Sequence, residues 1–252
     1  MTAAPVLETR GLGRRFGGLK AVSDVSFSVP EGQVLGVIGP NGAGKSTFIN
    51  LVTGHIRPTE GRVLIDGKDL TGARPWVIAQ ARVARTFQIV KPFRGMSVRE
   101  NVAVGILYGS HGTSVMSRAL KAADEVLEEV GMVGLGDRPP GELSVADARR
   151  LEFAKALALR PRLLLLDEVM AGLRQTEIEP SLELIRSLKA RGITIIVVEH
   201  VMKAILAVSD QVLVLHEGKV LTSGDPHEVL RDPRVIEAYL GHRYAKRREG
   251  DS

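Results

Sequence analysis

The sequence predicts an α/β fold: a parallel-sheet core that carries an antiparallel β-subdomain near its N-terminus and an inserted helical subdomain. Two patterns support this prediction. Continuous apolar runs of strand length are separated by helical stretches, as in parallel sheets that are covered on both faces. A long middle segment, residues 88–159, is rich in helix formers and poor in β-branched runs, which indicates a mainly helical lobe.

The antiparallel parts of the fold are predicted by alternation and by turn dipeptides. Residues 25–29 alternate between apolar residues and serines, which is the period of a half-buried strand. Residues 63–65 lead into Asp66-Gly67, a strong turn signal, so a short hairpin is expected there. A second hairpin is expected at residues 212–222, around Glu217-Gly218.

The parallel core is predicted from three buried strands at residues 34–38, 163–166 and 193–198, none of which alternates. A helix at residues 46–52 follows the first strand, and a helix around residues 181–190 separates the other two. Strand, helix and strand in that order imply a right-handed parallel crossover.

The chain is expected to form a single domain of three parts. The core spans about residues 1–87 and 160–241, the helical lobe about 88–159, and a basic tail 242–252. Within the lobe, the apolar residues of the segment 119–130 fall on one helical face.

Composition excludes several classes of protein. The 252 residues include no cysteine, which rules out a disulfide framework. No stretch approaches the roughly 18 to 20 apolar residues that a membrane-spanning helix needs, and the first ten residues lack the apolar core of a secretory signal. The net charge is +5, but basic residues are mostly scattered among acidic ones, which favours a solvated surface over a nucleic-acid face. One dense basic cluster lies in the tail and consists of His242, Arg243, Lys246, Arg247 and Arg248.

The strongest motif is a phosphate-binding loop directly after the first buried strand. Residues 39–46 satisfy the spacing G-x-x-x-x-G-K-[ST] between a predicted strand and a predicted helix. Its glycines let successive backbone N–H groups point at phosphates, the helix N-terminus adds its dipole, and Lys45 supplies a full charge. Ser46 is expected to hold Mg²⁺. The core is therefore expected to be of the P-loop NTPase (RecA-like) type.

Polar residues that end the other two buried strands are candidates for catalysis. Asp167 suits the Mg²⁺ shell, and Glu168 is placed to polarise a water for attack on the γ-phosphate. His200 reaches the same sheet edge and is expected to contact or sense the γ-phosphate, while Gln88 is expected to sense metal and water. The alternatives are a helix cap for the acidic pair and a structural role for the histidine.

The motifs together resemble the ATP-binding cassette (ABC) family, over nearly the whole chain from about residue 7 to 241. In chain order, the resembling positions are the adenine-stacking aromatic Phe16, the phosphate loop 39–47, the Gln loop at Gln88, the signature at Leu143-Ser144, the acidic pair Asp167-Glu168, the Asp-loop region 171–173 and the switch histidine His200.

The resemblance implies a magnesium-dependent ATPase that works as a dimer, with each signature completing the partner's site. The implied catalytic residues are Lys45, Gln88, Glu168 and His200. The implied metal ligands are Ser46, Gln88 and Asp167. The implied nucleotide contacts are Phe16, Gly39, Asn41, Gly42, Ala43, Gly44, Lys45, Ser46, Thr47 and Ser144. The implied cofactors are ATP and Mg²⁺.

Within the family, the segments 16–22, 85–88 and 235–241 look like importers of branched-chain amino acids. Importers of urea or short amides and the lipopolysaccharide-export ATPase also look similar to these segments, so they remain alternative assignments within the family. The implied partners are transmembrane permease subunits, a second identical or paralogous ATPase subunit and a periplasmic or extracellular substrate-binding protein, with no nucleic acid. The implied location is peripheral, at the cytoplasmic face of the inner membrane.

The signature departs from the family pattern Leu-Ser-Gly-Gly-Gln, because it reads Leu143-Ser144-Val145-Ala146-Asp147. The Ser144 hydroxyl can still reach the partner's γ-phosphate, but Ala146 adds a methyl group where the family brings bare backbone, and Asp147 adds negative charge. We expect ATP binding to be preserved and hydrolysis to be slowed. Ser144-x-x-Asp147 also fits a capping box, and the two roles are compatible.

Two further departures follow the acidic pair. Val169-Met170 stands where the family usually has proline after the glutamate, and Arg174 stands where the Asp-loop usually carries Asn or Asp. Arg174 either disturbs communication across the dimer or is a surface residue.

Two other functions fit the sequence less well. A soluble ABC-type ATPase acting on nucleic acid or ribosomes would suit the basic pI, but such proteins usually have two cassettes or a long coiled coil. A nucleotide-binding regulator that no longer hydrolyses would suit the altered signature, but Glu168 and His200 argue against it.

Overall fold

The computed structural model describes residues 5–88, 90–109 and 112–240, so the basic tail expected at 242–252 lies outside the described residues. The described strands are β1 Pro5–Phe16, β2 Leu19–Pro30, β3 Val34–Ile38, β4 Glu60–Ile65, β5 Lys68–Asp69, β6 Val83–Arg85, β7 Leu163–Asp167, β8 Thr194–Val198, β9 Gln211–His216 and β10 Lys219–Gly224. The described α-helices are α1 Lys45–Val52, α2 Pro75–Gln80, α3 Val98–Tyr108, α4 Met116–Glu129, α5 Val145–Leu157, α6 Gln175–Ala190, α7 Met202–Val208, α8 Pro226–Val229 and α9 Pro233–Leu240.

The N-terminal sheet has four strands in the order β2-β1-β4-β5, and all of its pairs are antiparallel. The strand predicted at residues 25–29 is part of β2, and the hairpin predicted around Asp66-Gly67 joins β4 to β5. Strand β1 was not predicted. Three arginines interrupt its alternation, and pairing with β2 and β4 on both sides holds it in the sheet.

The second sheet has six strands in the order β10-β9-β3-β8-β7-β6. Strands β3, β6, β7, β8 and β9 run parallel, and β10 pairs with β9 in the predicted antiparallel hairpin. The predicted crossover is confirmed, since β7 and β8 are parallel neighbours connected through α6.

Alternate residues of the parallel strands enter two different cores. Val34 and Ile38 face a core shared with the helices of the middle segment, whereas Leu35 and Val37 face a core shared with α1 and the antiparallel sheet. Every residue of β3, β7 and β8 is buried, because both faces of the sheet are covered. This double burial explains the continuous apolar runs in the sequence.

The middle segment packs three helices, α3, α4 and α5, against one another. Ser97 begins α3 through a reciprocal capping box with Glu100. Gly105 lets α3 approach the end of α5, because a Cβ atom there would lie 2.8 Å from the Ala158 Cβ atom. Helix α4 begins three residues before the predicted amphipathic stretch 119–130 and contains all of it except Val130, which is the C-cap residue.

The predicted start of α6 near residue 181 was wrong, because the helix begins at Gln175 and contains Pro180 in its second turn. A proline this close to a helix start removes only one intrahelical hydrogen bond, so the helix continues through it. The Glu177 carboxylate accepts a hydrogen bond from the Arg174 backbone N–H at 2.7 Å, which supports the earlier start. Among the helices of the described ranges, none is both long and apolar enough to cross a membrane.

Candidate functional site

The loop between β3 and α1 can be built only with glycine at two of its positions. Gly39 has φ +154° and Gly44 has φ +101°, both outside the range that side chains favour. A Cβ atom at Gly39 would lie 2.2 Å from the Leu215 carbonyl oxygen, and one at Gly44 would lie 2.5 Å from the Ala21 carbonyl oxygen. These glycines therefore allow the loop to pack directly on the backbone of neighbouring strands.

The turn of the β9–β10 hairpin contacts this loop and forms a backbone hydrogen bond with it. The Gly218 N–H donates to the Ala43 carbonyl at 3.1 Å, and the Ser23 N–H donates to the Gly218 carbonyl at 2.7 Å. A cavity of about 660 Å³ opens over the loop. It is lined by Phe16, Leu19, Lys20, Ala21, residues 41–47, Glu168, Glu217 and Gly218.

Lys45 lies across the loop from which it arises. Its Nζ donates to the Gly39 carbonyl at 2.6 Å and to the Pro40 carbonyl at 3.1 Å. Burial lowers the pKa of Lys45, while the charges of Glu168 and Asp167 raise it. The ammonium is thus hydrogen-bonded to backbone oxygens and lies near enough to both acids for their charges to act on it.

The acidic pair lies at the end of β7, where each carboxylate has its own partner. Asp167 is 5 % exposed, and its Oδ2 accepts from Arg85 Nη2 at 2.8 Å. Burial raises the pKa of Asp167, while Arg85 lowers it. Glu168 adopts φ +49°, and its Oε2 accepts from Gln88 Nε2 at 2.6 Å. No helix begins at this pair in the described chain, since α6 starts at Gln175, so the helix-cap alternative was wrong.

His200 follows β8 on the same sheet edge, and its side chain is 58 % exposed. Its Nδ1 lies 4.0 Å from Oε2 of the preceding residue, Glu199, which is fully buried. The other Glu199 oxygen accepts from the Met170 N–H at 2.8 Å, so Glu199 ties this strand end to the segment after Glu168. Burial raises the pKa of Glu199.

The signature segment, Leu143–Asp147, begins helix α5 outside the cavity of its own chain. Ser144 is the N-cap residue, and its Oγ accepts from the Asp147 N–H at 3.1 Å. The same hydroxyl donates to Asp147 Oδ2 at 2.7 Å. Ser144 therefore caps α5 as predicted, but the second half of the predicted capping box is not formed, because the Asp147 carboxylate accepts from the serine hydroxyl and not from the Ser144 backbone N–H.

The predicted aromatic, Phe16, ends β1 at the rim of the cavity. Phe16 is 43 % exposed, and the Arg14 guanidinium carbon lies 4.7 Å from the centroid of its ring. Arg174, one of the departures, is exposed at the start of α6.

The structure brings together most of the predicted residues and adds two that the sequence interpretation missed. Arg85 contacts Asp167, and Glu199 contacts the loop after Glu168. Each was visible as a charged residue at the end of an apolar strand, a position that is costly unless the charge has a partner. Within the described ranges, no three His, Cys, Asp or Glu side chains cluster as a metal site.

A family model described as "ABC transporter" matches residues 22–171, which is more than half of the chain. The chain belongs to the ABC transporter family. A second model, described as "Branched-chain amino acid ATP-binding cassette transporter", matches residues 219–245 of this ABC protein. The expected resemblance is thereby confirmed, and with it an ATP-binding subunit with ATPase activity.

Relatives of this ABC ATPase include two bacterial transport proteins. It is 40% identical over 250 residues to the high-affinity branched-chain amino acid transport ATP-binding protein BraF of Pseudomonas aeruginosa, covering 94% of this chain and 98% of BraF. It is 38% identical over 250 residues to the corresponding protein LivG of Escherichia coli, with the same coverage of both chains.

Solved structures agree with the family assignment. A nucleotide-free ATP-binding cassette from an ABC transporter superposes with a TM-score of 0.86 at 32% identity, covering 95% of this chain and 100% of that one. The ADP conformation of the ATP-binding cassette MJ1267 superposes with a TM-score of 0.85 at 32% identity and the same coverage. The predicted P-loop core with an antiparallel subdomain and a helical subdomain is confirmed.

Proposed function

We propose that this ATPase binds ATP with Mg²⁺, hydrolyses it between two cassettes, and thereby drives a separate permease that imports branched-chain amino acids or similar small amino acids or amides. One observation carries the proposal. Lys45, Glu168 and, through Glu168, Gln88 converge on the cavity above the phosphate loop. The names of BraF and LivG support the cargo, and the ADP conformation of MJ1267 supports the nucleotide.

The nucleotide is bound by the residues that line the cavity. The phosphates take the loop N–H groups of residues 41–47 and the Lys45 ammonium, which exchanges the carbonyls of Gly39 and Pro40 for phosphate oxygens. The adenine stacks on Phe16, whose ring is exposed while Arg14 covers part of it.

The oxygen donors near the loop suit Mg²⁺, which prefers hydroxyl, carboxylate and amide oxygens. Ser46, Asp167 and Gln88 would hold it, with phosphate and water supplying the remaining ligands. When bound, Mg²⁺ neutralises charge on the β- and γ-phosphates.

Hydrolysis requires a water in line with the γ-phosphorus. Glu168 orients this water and accepts its proton as the new P–O bond forms and the bond to the bridging oxygen breaks, which yields ADP and phosphate. Gln88, which donates to Glu168, keeps that carboxylate directed toward the cavity. His200, exposed at the same edge, contacts the γ-phosphate and responds to its loss.

The second half of each site comes from a partner cassette, because Ser144 lies outside the cavity of its own chain. In this chain the Ser144 hydroxyl donates a hydrogen bond to Asp147 Oδ2 at 2.7 Å, so it has to break that bond before it can donate to the partner's phosphate. The partner's site therefore hydrolyses slowly, whereas the site on this chain keeps its full set of residues. A heterodimer with a paralogous cassette would tolerate this asymmetry.

An exposed apolar surface near the Gln loop is the docking site for the permease. Phe87, Phe93 and Met96 are 39 %, 49 % and 40 % exposed and follow one another between β6 and α3. Apolar side chains grouped on a surface mark contact sites for other proteins. In this proposal the subunit is peripheral, at the cytoplasmic face of the membrane, and a substrate-binding protein delivers cargo on the other side.

ATP binding is tested by titrating the full chain with a fluorescent ATP analogue, with and without Mg²⁺. Lys45→Ala is expected to weaken binding at least about 10-fold, since one buried charge-assisted contact contributes about 1.5–3 kcal/mol. Lys68→Ala, on the exposed strand β5, is the matched control and should bind as the wild type does. Magnesium-independent binding that is unchanged in Lys45→Ala would overturn the proposal.

The cargo is tested in proteoliposomes that contain the permease pair, this subunit and its partner cassette. Leucine-loaded binding protein is expected to raise ATP turnover several-fold above binding protein without ligand. Stimulation by urea-loaded or amide-loaded binding protein, with none by leucine, would assign the cargo to those compounds.

A further inference from the structure

We propose that Arg85 is the residue that positions Asp167, and that it links Asp167 to the exposed ring of Phe87. The inference rests on the proposed function, because it assigns Asp167 to the magnesium site. The Arg85 side chain is 11% exposed and the Asp167 side chain 7% exposed, so their ion pair is largely removed from water. Orientation of a metal-binding carboxylate by such a partner is a common feature of metal sites.

The Arg85 guanidinium bridges two elements of the site. Its Nη2 donates to Asp167 at the end of β7, at 2.8 Å, and its Nη1 donates to Asn50 Oδ1 within α1, at 2.6 Å. Helix α1 is the one that follows the phosphate loop. Arg85 Nε is buried and has no hydrogen-bond partner among the described residues, so the two Nη groups fix the side chain.

Phe87 covers the guanidinium and also reaches the surface. The Arg85 guanidinium carbon lies 5.0 Å from the centroid of the Phe87 ring, a cation–π distance. The His55 ring meets the same ring edge-on at 5.8 Å, and His55 Nδ1 lies 3.0 Å from Thr53 Oγ1 at the end of α1. Phe87 thus contacts Arg85 and His55 and is still 39 % exposed.

The segment from Arg85 to Gln88 therefore contacts both acids at once. Arg85 contacts Asp167, and Gln88 contacts Glu168 at 2.6 Å. A partner that presses on the Phe87 ring shifts the guanidinium, and with it the carboxylate oxygen that Arg85 holds. A buried charge loses much of its stabilising free energy when its partner moves away. A small displacement of Arg85 is therefore enough to change the orientation of the Asp167 carboxylate toward the magnesium site.

The test separates the magnesium-dependent part of nucleotide binding from the rest. The full chain is titrated with a fluorescent ATP analogue at fixed Mg²⁺ concentrations and in excess chelator. We expect Arg85→Met to raise, by about 10-fold or more, the Mg²⁺ concentration at which the magnesium-dependent gain in ATP-analogue affinity is half-maximal. Loss of other residues that orient metal ligands has effects of this size. Affinity in chelator should stay within about two-fold of the wild type, which a general loss of structure would not allow.

Two further variants keep the inference falsifiable. Arg85→Lys retains the charge but not the double contact, and should raise the half-maximal Mg²⁺ concentration about three-fold; if Arg85→Met does not fold, this variant decides. Arg74→Met is the matched control, because the Arg74 guanidinium carbon also lies 5.0 Å from an aromatic ring, that of Trp76, and makes no ion pair with an acid in the described chain. Arg74→Met should match the wild type.

Phe87→Leu tests the link to the surface in the same assay and should raise the half-maximal Mg²⁺ concentration about two- to five-fold. A wild-type response to Mg²⁺ that neither Arg85 variant alters beyond about two-fold would overturn the inference while leaving the proposed function intact. A wild type that shows no Mg²⁺-dependent binding would instead overturn the proposed function.

Discussion

Charged side chains of the proposed nucleotide site each form hydrogen bonds with other groups of the chain. Lys45 is bound by two loop carbonyls, and Glu168 by Gln88, at distances between 2.6 and 3.1 Å. Such charge-assisted contacts keep buried charges satisfied. The residues of the proposed nucleotide site are therefore held in position by other groups of the same chain.

Glu168 is expected to be needed for hydrolysis and not for binding. In Glu168→Gln the amide can still accept from Gln88, but it cannot take a proton from water, so ATP-bound dimers should accumulate. Size-exclusion chromatography with ATP and Mg²⁺ measures the dimer directly. Equal elution of Glu168→Gln and wild type would contradict a cycle in which hydrolysis separates the cassettes.

ATP turnover is expected to rise when the signature residues that depart from the family pattern are replaced by those of the pattern. Asp147→Gln replaces the charged carboxylate that accepts from the Ser144 hydroxyl by a longer, neutral side chain, and Ala146→Gly restores bare backbone. The double variant should therefore turn over ATP faster, by up to about 10²-fold for one restored donor. Steady-state phosphate release from the assembled dimer measures this rate. Ser144→Ala should slow it, and a double variant no faster than the wild type would mean that the departures are already compensated.

Among the secondary-structure elements, helix α6 shows how local signals and packing compete. Pro180 marks a break in the sequence, yet the helix runs from Gln175 through it, because Ile185 and Leu188 bury one face of the helix in the core. Helices in proteins are stabilised mainly by such packing, which outweighs the cost of one missing backbone hydrogen bond.

Pro180→Ala is expected to stabilise the protein. The position is exposed, so no packing is lost, and alanine restores the N–H that proline lacks. Alanine also gives the unfolded chain more conformational freedom, which offsets part of this gain. The free energy of unfolding should therefore rise by about 1–2 kcal/mol, or about 2–8 °C in Tm for a domain of this size. Thermal unfolding followed by circular dichroism measures the shift. An unchanged or lower Tm would show that the proline is accommodated without cost.

In the molecule as a whole, the distribution of surface charge favours a transport ATPase over an ATPase that acts on nucleic acid. The net charge is +5, but described arginines on the surface are often paired, as in Arg162 with Glu31 and Asp66, and Arg99 with Asp124 and Asp137. Paired charges leave little free cation to neutralise phosphates along a nucleic acid.

Double-stranded DNA and ribosomal RNA are therefore expected to leave ATP turnover unchanged, within about two-fold, at about 150 mM salt. The same preparation should gain turnover when it is assembled with its permease. Phosphate release, measured with each addition, distinguishes the two functions. Stimulation by RNA, with none by the permease, would favour the soluble ATPase.

The sequence alone determined the parts of this protein that local chemistry dictates. The spacing of Gly39 to Ser46 indicates a phosphate loop, because the loop requires glycine at Gly39 and Gly44 and Lys45 supplies its positive charge. The continuous apolar strands predicted the parallel sheet, and the acids that end them marked its functional edge.

Tertiary structure alone decided which groups hold those residues in place. Arg85 and Asp167 are 82 positions apart, and Met170 and Glu199 are 29 apart, so no local pattern reports their contacts. The strand β1 and the early start of α6 likewise depend on neighbours distant in the chain. Periodicity and spacing record what each segment prefers, whereas a buried charge takes its partner from whatever the fold brings beside it.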